Sequence, residues 1–205
     1  MHIGKISYRK TGRRMMQLTK RVVWDSDCMS SFLTAGSMGV PIILIGEKMI
    51  LPKVVYDELI AARNEGWKEV VDNLIVRKVF ELREISTGEE AMKTFYELTQ
   101  RPKDGFPAIG RGEAAAIAIA KQEGGILASN NFKDIIQYVE LYNLPLITTG
   151  SMLYDRYISE EMSEDEIETI WHSMYESGCK LPAETFSEYL EKAKWNFKNR
   201  WSFVE

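Results

Sequence analysis

The sequence predicts an α/β fold in which a parallel sheet is covered by helices on both faces. Three observations carry this reading. Strand-like and helix-like segments alternate through residues 21–158. The first strand-like run ends directly in an acid, Val22-Val23-Trp24-Asp25, and the carboxyl end of a strand is where open parallel sheets bind ligands. The 205 residues suit one such domain with a small appendage, and a 45% hydrophobic composition supplies a sizeable core.

Residues 1–20 form a basic extension without clear periodicity. Through residue 21 the chain carries Lys5, Arg9, Lys10, Arg13, Arg14, Lys20 and Arg21 and no acid. A solvated tail is favoured there over an arm that touches phosphates. The net charge of the whole chain is −4, so no global basic field points to nucleic acid.

Residues 21–25 read as the first strand. Residues 27–36 read as a helix stopped near Gly36 and Gly39. The run Pro41–Gly46 is apolar but short, and fits either a strand or a buried helical turn. Met49-Ile50-Leu51 is a second strand. Pro52 then opens a helix, because its missing N–H is no loss in the first turn. That helix has Val54, Val55, Leu59 and Ile60 on its apolar face, with Glu58 beside it. Leu74 to Leu82 alternates apolar with charged residues and reads as a third strand. Ser86 to Gln100 reads as an amphipathic helix with acids in its first turn.

After a turn-rich loop, the helix from Ile109 to Ala120 is dominated by alanine and isoleucine on every side. It is therefore expected to be central and buried, which makes the charge of Glu113 in its first turn a specific choice. Gly125–Ser129 is a strand, and Asn130, Asn131 and Asp134 follow at its carboxyl end and open a helix to about Leu141. Leu144–Thr149 is a last strand, and another helix begins at Gly150. From Ser159 to residue 205 the pattern is helical only. One helix starts at Ser163-Glu164-Asp165-Glu166 and closes at Gly178, and a second runs from Pro182 to about Trp195. These are expected as a C-terminal appendage whose Trp171, Tyr175, Phe186, Tyr189 and Trp195 serve a core or an oligomer interface.

Four strand or helix ends thus carry acids or amides: Asp25, Glu58, Glu113 and the Asn130/Asn131/Asp134 group. Carboxylates converging on one point repel each other unless a cation sits among them, and oxygen-only ligation favours Mg²⁺ or Mn²⁺ over zinc. Two histidines, His2 and His172, cannot build a histidine-rich zinc site. Cys28 and Cys179 lack metal-ligand spacing and read as reduced thiols. No run approaches the length of a membrane span, and the N-terminus lacks the apolar core of a signal peptide, so a cytoplasmic location is expected.

In order and context these motifs resemble the PIN-domain ribonucleases: Val-Val-Trp-Asp25-Ser, then Leu51-Pro52 through Asp57-Glu58-Leu59, then Gly110-Arg111-Gly112-Glu113-Ala114, then Ile126-Leu127-Ala128-Ser129-Asn130-Asn131. The resemblance spans residues 21–158. It implies a three-layer α/β/α sandwich and metal-dependent cleavage of single-stranded RNA. It also implies a role as the toxin of a toxin–antitoxin pair, with an antitoxin protein as partner, and a homodimer. Under it, Asp25, Glu58 and Glu113 are the catalytic acids, Asp25, Glu113 and Asn131 hold Mg²⁺ or Mn²⁺, and Ser26, Asn130 and Arg111 face substrate. The chain departs from the family pattern where Asn130 and Asn131 replace the acids after the fourth strand. An amide oxygen can ligate a metal but adds no charge, so weaker metal affinity is expected. Asp134 could substitute, although an acid favoured by the helix dipole is the preferred reading.

Two alternatives remain at this stage. A catalytically impaired PIN-like fold would act as a binding or scaffold protein. A haloacid-dehalogenase-like phosphatase would use Asp25-Ser26-Asp27 as its Asp-x-Asp pair, but the further acidic pair it needs is not matched by Asn130-Asn131.

Overall fold

The computed structural model describes residues 20–47, 49–61 and 66–192. The basic extension, apart from Lys20, and Trp195 lie outside these residues. Five parallel strands form one sheet in the order β3-β2-β1-β4-β5. They are β1 (Val22–Trp24), β2 (Met49–Pro52), β3 (Phe80–Arg83), β4 (Ile126–Ala128) and β5 (Leu146–Ile147). The helices are α1 (Ser26–Thr34), α2 (Gly39–Ile45), α3 (Lys53–Ala61), α4 (Trp67–Val76), α5 (Glu90–Gln100), α6 (Arg111–Glu123), α7 (Phe132–Leu141), α8 (Thr149–Ile158) and α9 (Glu164–Glu176), followed by a helical segment at 186–192. The expected three-layer arrangement is present.

Strand alternation divides the core. Val22, Trp24, Met49, Leu51, Ile126 and Ala128 face one layer, where they join Cys28, Phe32, Val55 and Trp171. Val23, Ile50 and Leu127 face the other, against Ala114, Ile117, Ile135 and Tyr138. Every residue of β1 is buried, as a strand covered on both faces requires. In α6 all residues from Ala114 to Ala120 are buried, which confirms the reading of an all-round apolar helix as central.

One choice left open by the sequence is decided, and two boundaries differ from the sequence reading. The ambiguous run at Pro41 is helical, within α2. The stretch from Leu74 is not a strand: it is the end of α4, and β3 begins only at Phe80. The helix stops there because Lys78 takes a positive φ of 59°, and the N–H groups of Lys78 and Val79 close on the carbonyls of Ile75 and Leu74. The α5 helix begins at Glu90 rather than Ser86, after a turn in which Glu89 accepts the Ser86 N–H.

The C-terminal helices share the main core. Ile167, Trp171, Met174, Phe186 and Leu190 lie in the same buried cluster as Val22 and Trp24. The start of α9 has the capping box seen in its sequence, between Ser163 and Glu166. The segment expected to be helical from Pro182 becomes so only at 186. Trp171 tilts against Phe186 and Tyr189 and donates its Nε1–H to the Ala183 carbonyl at 3.1 Å. Among the described residues no helix is long and apolar enough to cross a membrane.

Trp171→Ala is therefore expected to cost about 3–5 kcal/mol. In urea the midpoint should fall while the transition stays single and m is unchanged. A separate early transition would show the C-terminal helices unfolding on their own.

Candidate active site

The chain passes from β1 outward through β2 and β3, then returns to β4 on the other side of β1. The crevice between the carboxyl ends of β1 and β4 is thus a topological switch point, where side chains from both halves of the sheet meet. The parallel register pairs Trp24 with Ala128, so the next residues, Asp25 and Ser129, stand side by side.

Asp25 is 1% exposed. It caps α1, accepting the Ser26 N–H at 2.7 Å on one oxygen and the Ser129 hydroxyl at 2.8 Å on the other. Burial pushes its carboxyl well above the ordinary carboxylate range, and the charges of Asp27 and Glu113 add to this, against the two hydrogen bonds. Asp27, in the first turn of α1, accepts the Asn130 N–H at 3.1 Å and a longer contact from Ser129 Oγ at 3.4 Å. Its Oδ2 is buried without a well-formed hydrogen bond. Burial raises its pKa too, opposed by backbone N–H groups and by the charge of Lys180.

Glu58 and Glu113 come from α3 and α6, which pack against each other. Burial raises the pKa of Glu58 and the Glu113 charge raises it further, while the Ser26 hydroxyl, the Gly112 N–H and Arg111 oppose the shift. The glycines at the start of α6 make room for these acids. A Cβ at Gly112 would collide with Glu58 Oε2, and one at Gly110 with Glu113 Oε2. Asn131 is 7% exposed, and its Nδ2 donates to Glu113 at 3.0 Å and to Asp134 at 2.7 Å.

The structure therefore gathers Asp25, Ser26, Glu58, Glu113 and Asn131 around one crevice. Arg111 stands at its rim, exposed, with its guanidinium 5.5 Å from the Phe95 ring centroid. Asn130 is adjacent, but its side chain is bracketed away from the acids. Its amide donates to Thr149 Oγ1 at 2.9 Å and Ser31 Oγ at 3.3 Å, and its oxygen accepts the Thr149 N–H at 3.0 Å. Two residues were absent from the expected set. Asp27 was visible as an Asp-x-Asp pair but attached to the phosphatase alternative. Lys180, whose charge acts on Asp27, is remote in sequence, and no local signal marks it.

The donors are oxygen throughout, and the charges of Asp27 and Glu113 raise the proton affinity of the buried Asp25. This chemistry fits a hard divalent cation, for which Asp25, Asp27, Glu113 and the Asn131 amide are the candidate ligands. Among the described residues no three His, Cys, Asp or Glu side chains stand close enough to ligate one ion as they are placed. A bound ion would thus require Glu113, now turned to Gly110 and Asn131, to swing inward.

No family model and no curated protein matches the chain. Among solved structures, a chain of the "Structure of FitAB bound to IR36 DNA fragment" aligns with 62% of this chain and 94% of its own length, at 15% identity and a TM-score of 0.45. With so slight a likeness, function has to be argued from the site's own residues.

The raised pKa of Asp25 has a consequence for stability. Between the unfolded carboxylate value, about 3.9, and the raised folded one, the folded protein holds the extra proton. Stability contributed by that proton is lost as pH rises through this window. In chelator, Asp25→Asn should therefore melt higher than the wild type at pH 7, with the difference shrinking toward pH 4. Equal melting temperatures at pH 7 would show that the Asp25 charge is not held at a cost.

Proposed function

We propose that the chain is a metal-dependent endoribonuclease of PIN type that cleaves single-stranded RNA. The observation that carries the reading is the crowding around Asp25. A carboxylate with almost no solvent access has Asp27 and Glu113 acting on it with like charge, and only neutral hydrogen-bond donors touch it. Such a site is relieved by a cation, and it stands at the switch point of a parallel sheet whose motif order resembles that of the PIN-domain ribonucleases.

Bound Mg²⁺ or Mn²⁺ would neutralise charge on the phosphate and acidify an attacking water. The protein's own groups do the rest. Asp25 is held in place by Ser129 and Ser26, which fixes its carboxylate for a cation. Glu58, exposed and with a raised proton affinity, is suited to take the proton released by the attacking water. Arg111 offers its charge at the rim to a neighbouring phosphate. In-line attack then leaves a 5′-phosphate and a 3′-hydroxyl. A toxin role, with an antitoxin protein as partner, and a homodimer belong to the same proposal.

The second reading is a fold of this type without catalysis, acting as a binding protein. It is favoured by the Asn131 amide, which donates to Glu113 where a cation would otherwise neutralise it.

Incubating the protein with labelled single-stranded RNA in Mg²⁺ or Mn²⁺ separates the two. Cleavage is expected, and Asp25→Asn should slow it by on the order of 10²–10⁴-fold. Calorimetric titration should show Mn²⁺ binding that the variant loses. Metal binding without turnover would favour the binding protein. Cleavage that survives Asp25→Asn would end the nuclease reading of this site.

A further inference from the structure

Aromatic residues in the layer of α5, α6 and α7 mostly have a partner. Phe95 lies 5.5 Å from the Arg111 guanidinium, and Tyr96 lies 5.7 Å from that of Arg101. Phe106 tilts against Tyr138 with ring centroids 5.2 Å apart, and Tyr142 stacks on Tyr138 at 6.4 Å. Phe132 is different. It is 46% exposed and belongs to neither core cluster. Among the described residues its ring meets no other ring and no cation. Nor does it start its helix. A hydrophobic staple would need an apolar residue before the N-cap, and that position holds Asn130.

A lone exposed apolar side chain is common on a protein surface. The place of this one sets it apart. Phe132 opens α7 directly after Asn131, whose amide donates to Glu113 at 3.0 Å. Successive Cα atoms are about 3.8 Å apart, so a covalent bond to a residue of the acid crevice carries the ring to its edge. The backbone is fixed there. The Phe132 N–H bonds the Asn130 carbonyl at 3.0 Å, and the fully buried Ile135 anchors the same turn in the core.

The surrounding charge selects the ligand. Lys133, the next side chain, is exposed, and so is Arg111, two residues before Glu113 on α6. Among the described residues neither has a carboxylate within ion-pair distance. Single-stranded nucleic acid binds to such a combination, bases stacking on the ring while phosphates take the cations. An apolar protein partner would call for a contiguous apolar patch, yet the exposed residues that follow Phe132 are Lys133 and Asp134.

We propose that the Phe132 ring stacks on a base of the RNA strand, in a nucleotide flanking the phosphate bound at the acid crevice. The proposal rests on the ribonuclease reading for its substrate class and adds a base contact to it. Every base has a π-face, so this contact selects unpaired RNA rather than one sequence.

The test is the affinity of the full chain for a fluorescein-labelled oligouridylate and for an abasic strand of the same length, followed by anisotropy in chelator across a salt series. On the oligouridylate, Phe132→Ala should weaken binding about 5–100-fold, the worth of one stacked base, and leave the slope of log K against log salt unchanged. Phe132→Trp should bind at least as tightly as the wild type. On the abasic strand, wild type and Phe132→Ala should bind equally. In the cleavage assay Phe132→Ala should raise KM more than it lowers kcat. Tyr175→Ala, which removes an exposed ring from α9, is the control. A Phe132→Ala affinity equal to that of Tyr175→Ala would overturn the proposal, and a lowered sedimentation coefficient beside it would assign the ring to a contact between copies of the chain. A loss that persists undiminished on the abasic strand would also overturn it. If the wild type cleaves no RNA in either metal while the loss still depends on the bases, the nuclease reading fails and the base contact stands.

Discussion

A carboxylate removed from water at the end of β1 is the constraint to which the rest of the site answers. Burying an isolated charge costs several kcal/mol even after relaxation. The fold lowers that cost for Asp25 by three means. The register of β1 with β4 puts the Ser129 hydroxyl beside it. Capping α1 gives it a backbone N–H. The amino ends of α1, α6, α7 and α8 also come together here, since Asp25, Glu113, Asn131 and Thr149 lie at or next to them and are linked through Ser129, Asn131 and Asn130. Each helix end contributes on the order of 0.3–1 kcal/mol toward holding an anion. These terms do not cancel the cost, because the Asp25 pKa stays raised. The remainder is free energy that a ligand cation can recover.

The same logic assigns the neutral polar residues. Asn130 is a strut: it joins the end of β4 to the start of α8 through Thr149, and its N–H holds Asp27. Asn131 is a damper: one amide nitrogen serves Glu113 and Asp134 together and so stabilises two carboxylates without adding charge. Two adjacent asparagines that look equivalent in the sequence thus do different work, because Asn130 lies in the bend after β4, bonded to Thr149, while Asn131 is already the N-cap of α7.

Much of this was legible in the chain. The β1 run, the alanine-rich α6 and the capping box of α9 each declare themselves by a local pattern, and each stands where that pattern puts it. What failed was local in another way. The α4 helix ends on Lys78 in a left-handed conformation, normally the place of glycine or asparagine, so no stop signal was there to read. The alternation after Leu74 then mimicked a strand. Asp25, Glu113 and Asn131 could be found because each sits at a recognisable strand or helix end, and Glu58, inside α3, because it follows the Pro-led turn at Pro52. The effect of the Lys180 charge on Asp27 could not, because the two residues are remote in sequence.

The position of Asp27 bears on whether the asparagines weaken the site. The pattern this chain resembles puts acids after the fourth strand, where it has amides. Yet an acid stands in the first turn of α1, and its Oδ1 accepts the N–H of Asn130 itself at 3.1 Å. The two positions are neighbours across the switch point, so a charge lost from one side of the crevice is present on the other. Asp27 is also the acid whose second oxygen is buried without a well-formed hydrogen bond. The negative charge around Asp25 is therefore better judged from the crevice as folded than from the residues that follow β4. By that measure the amides alone are no reason to regard the site as depleted.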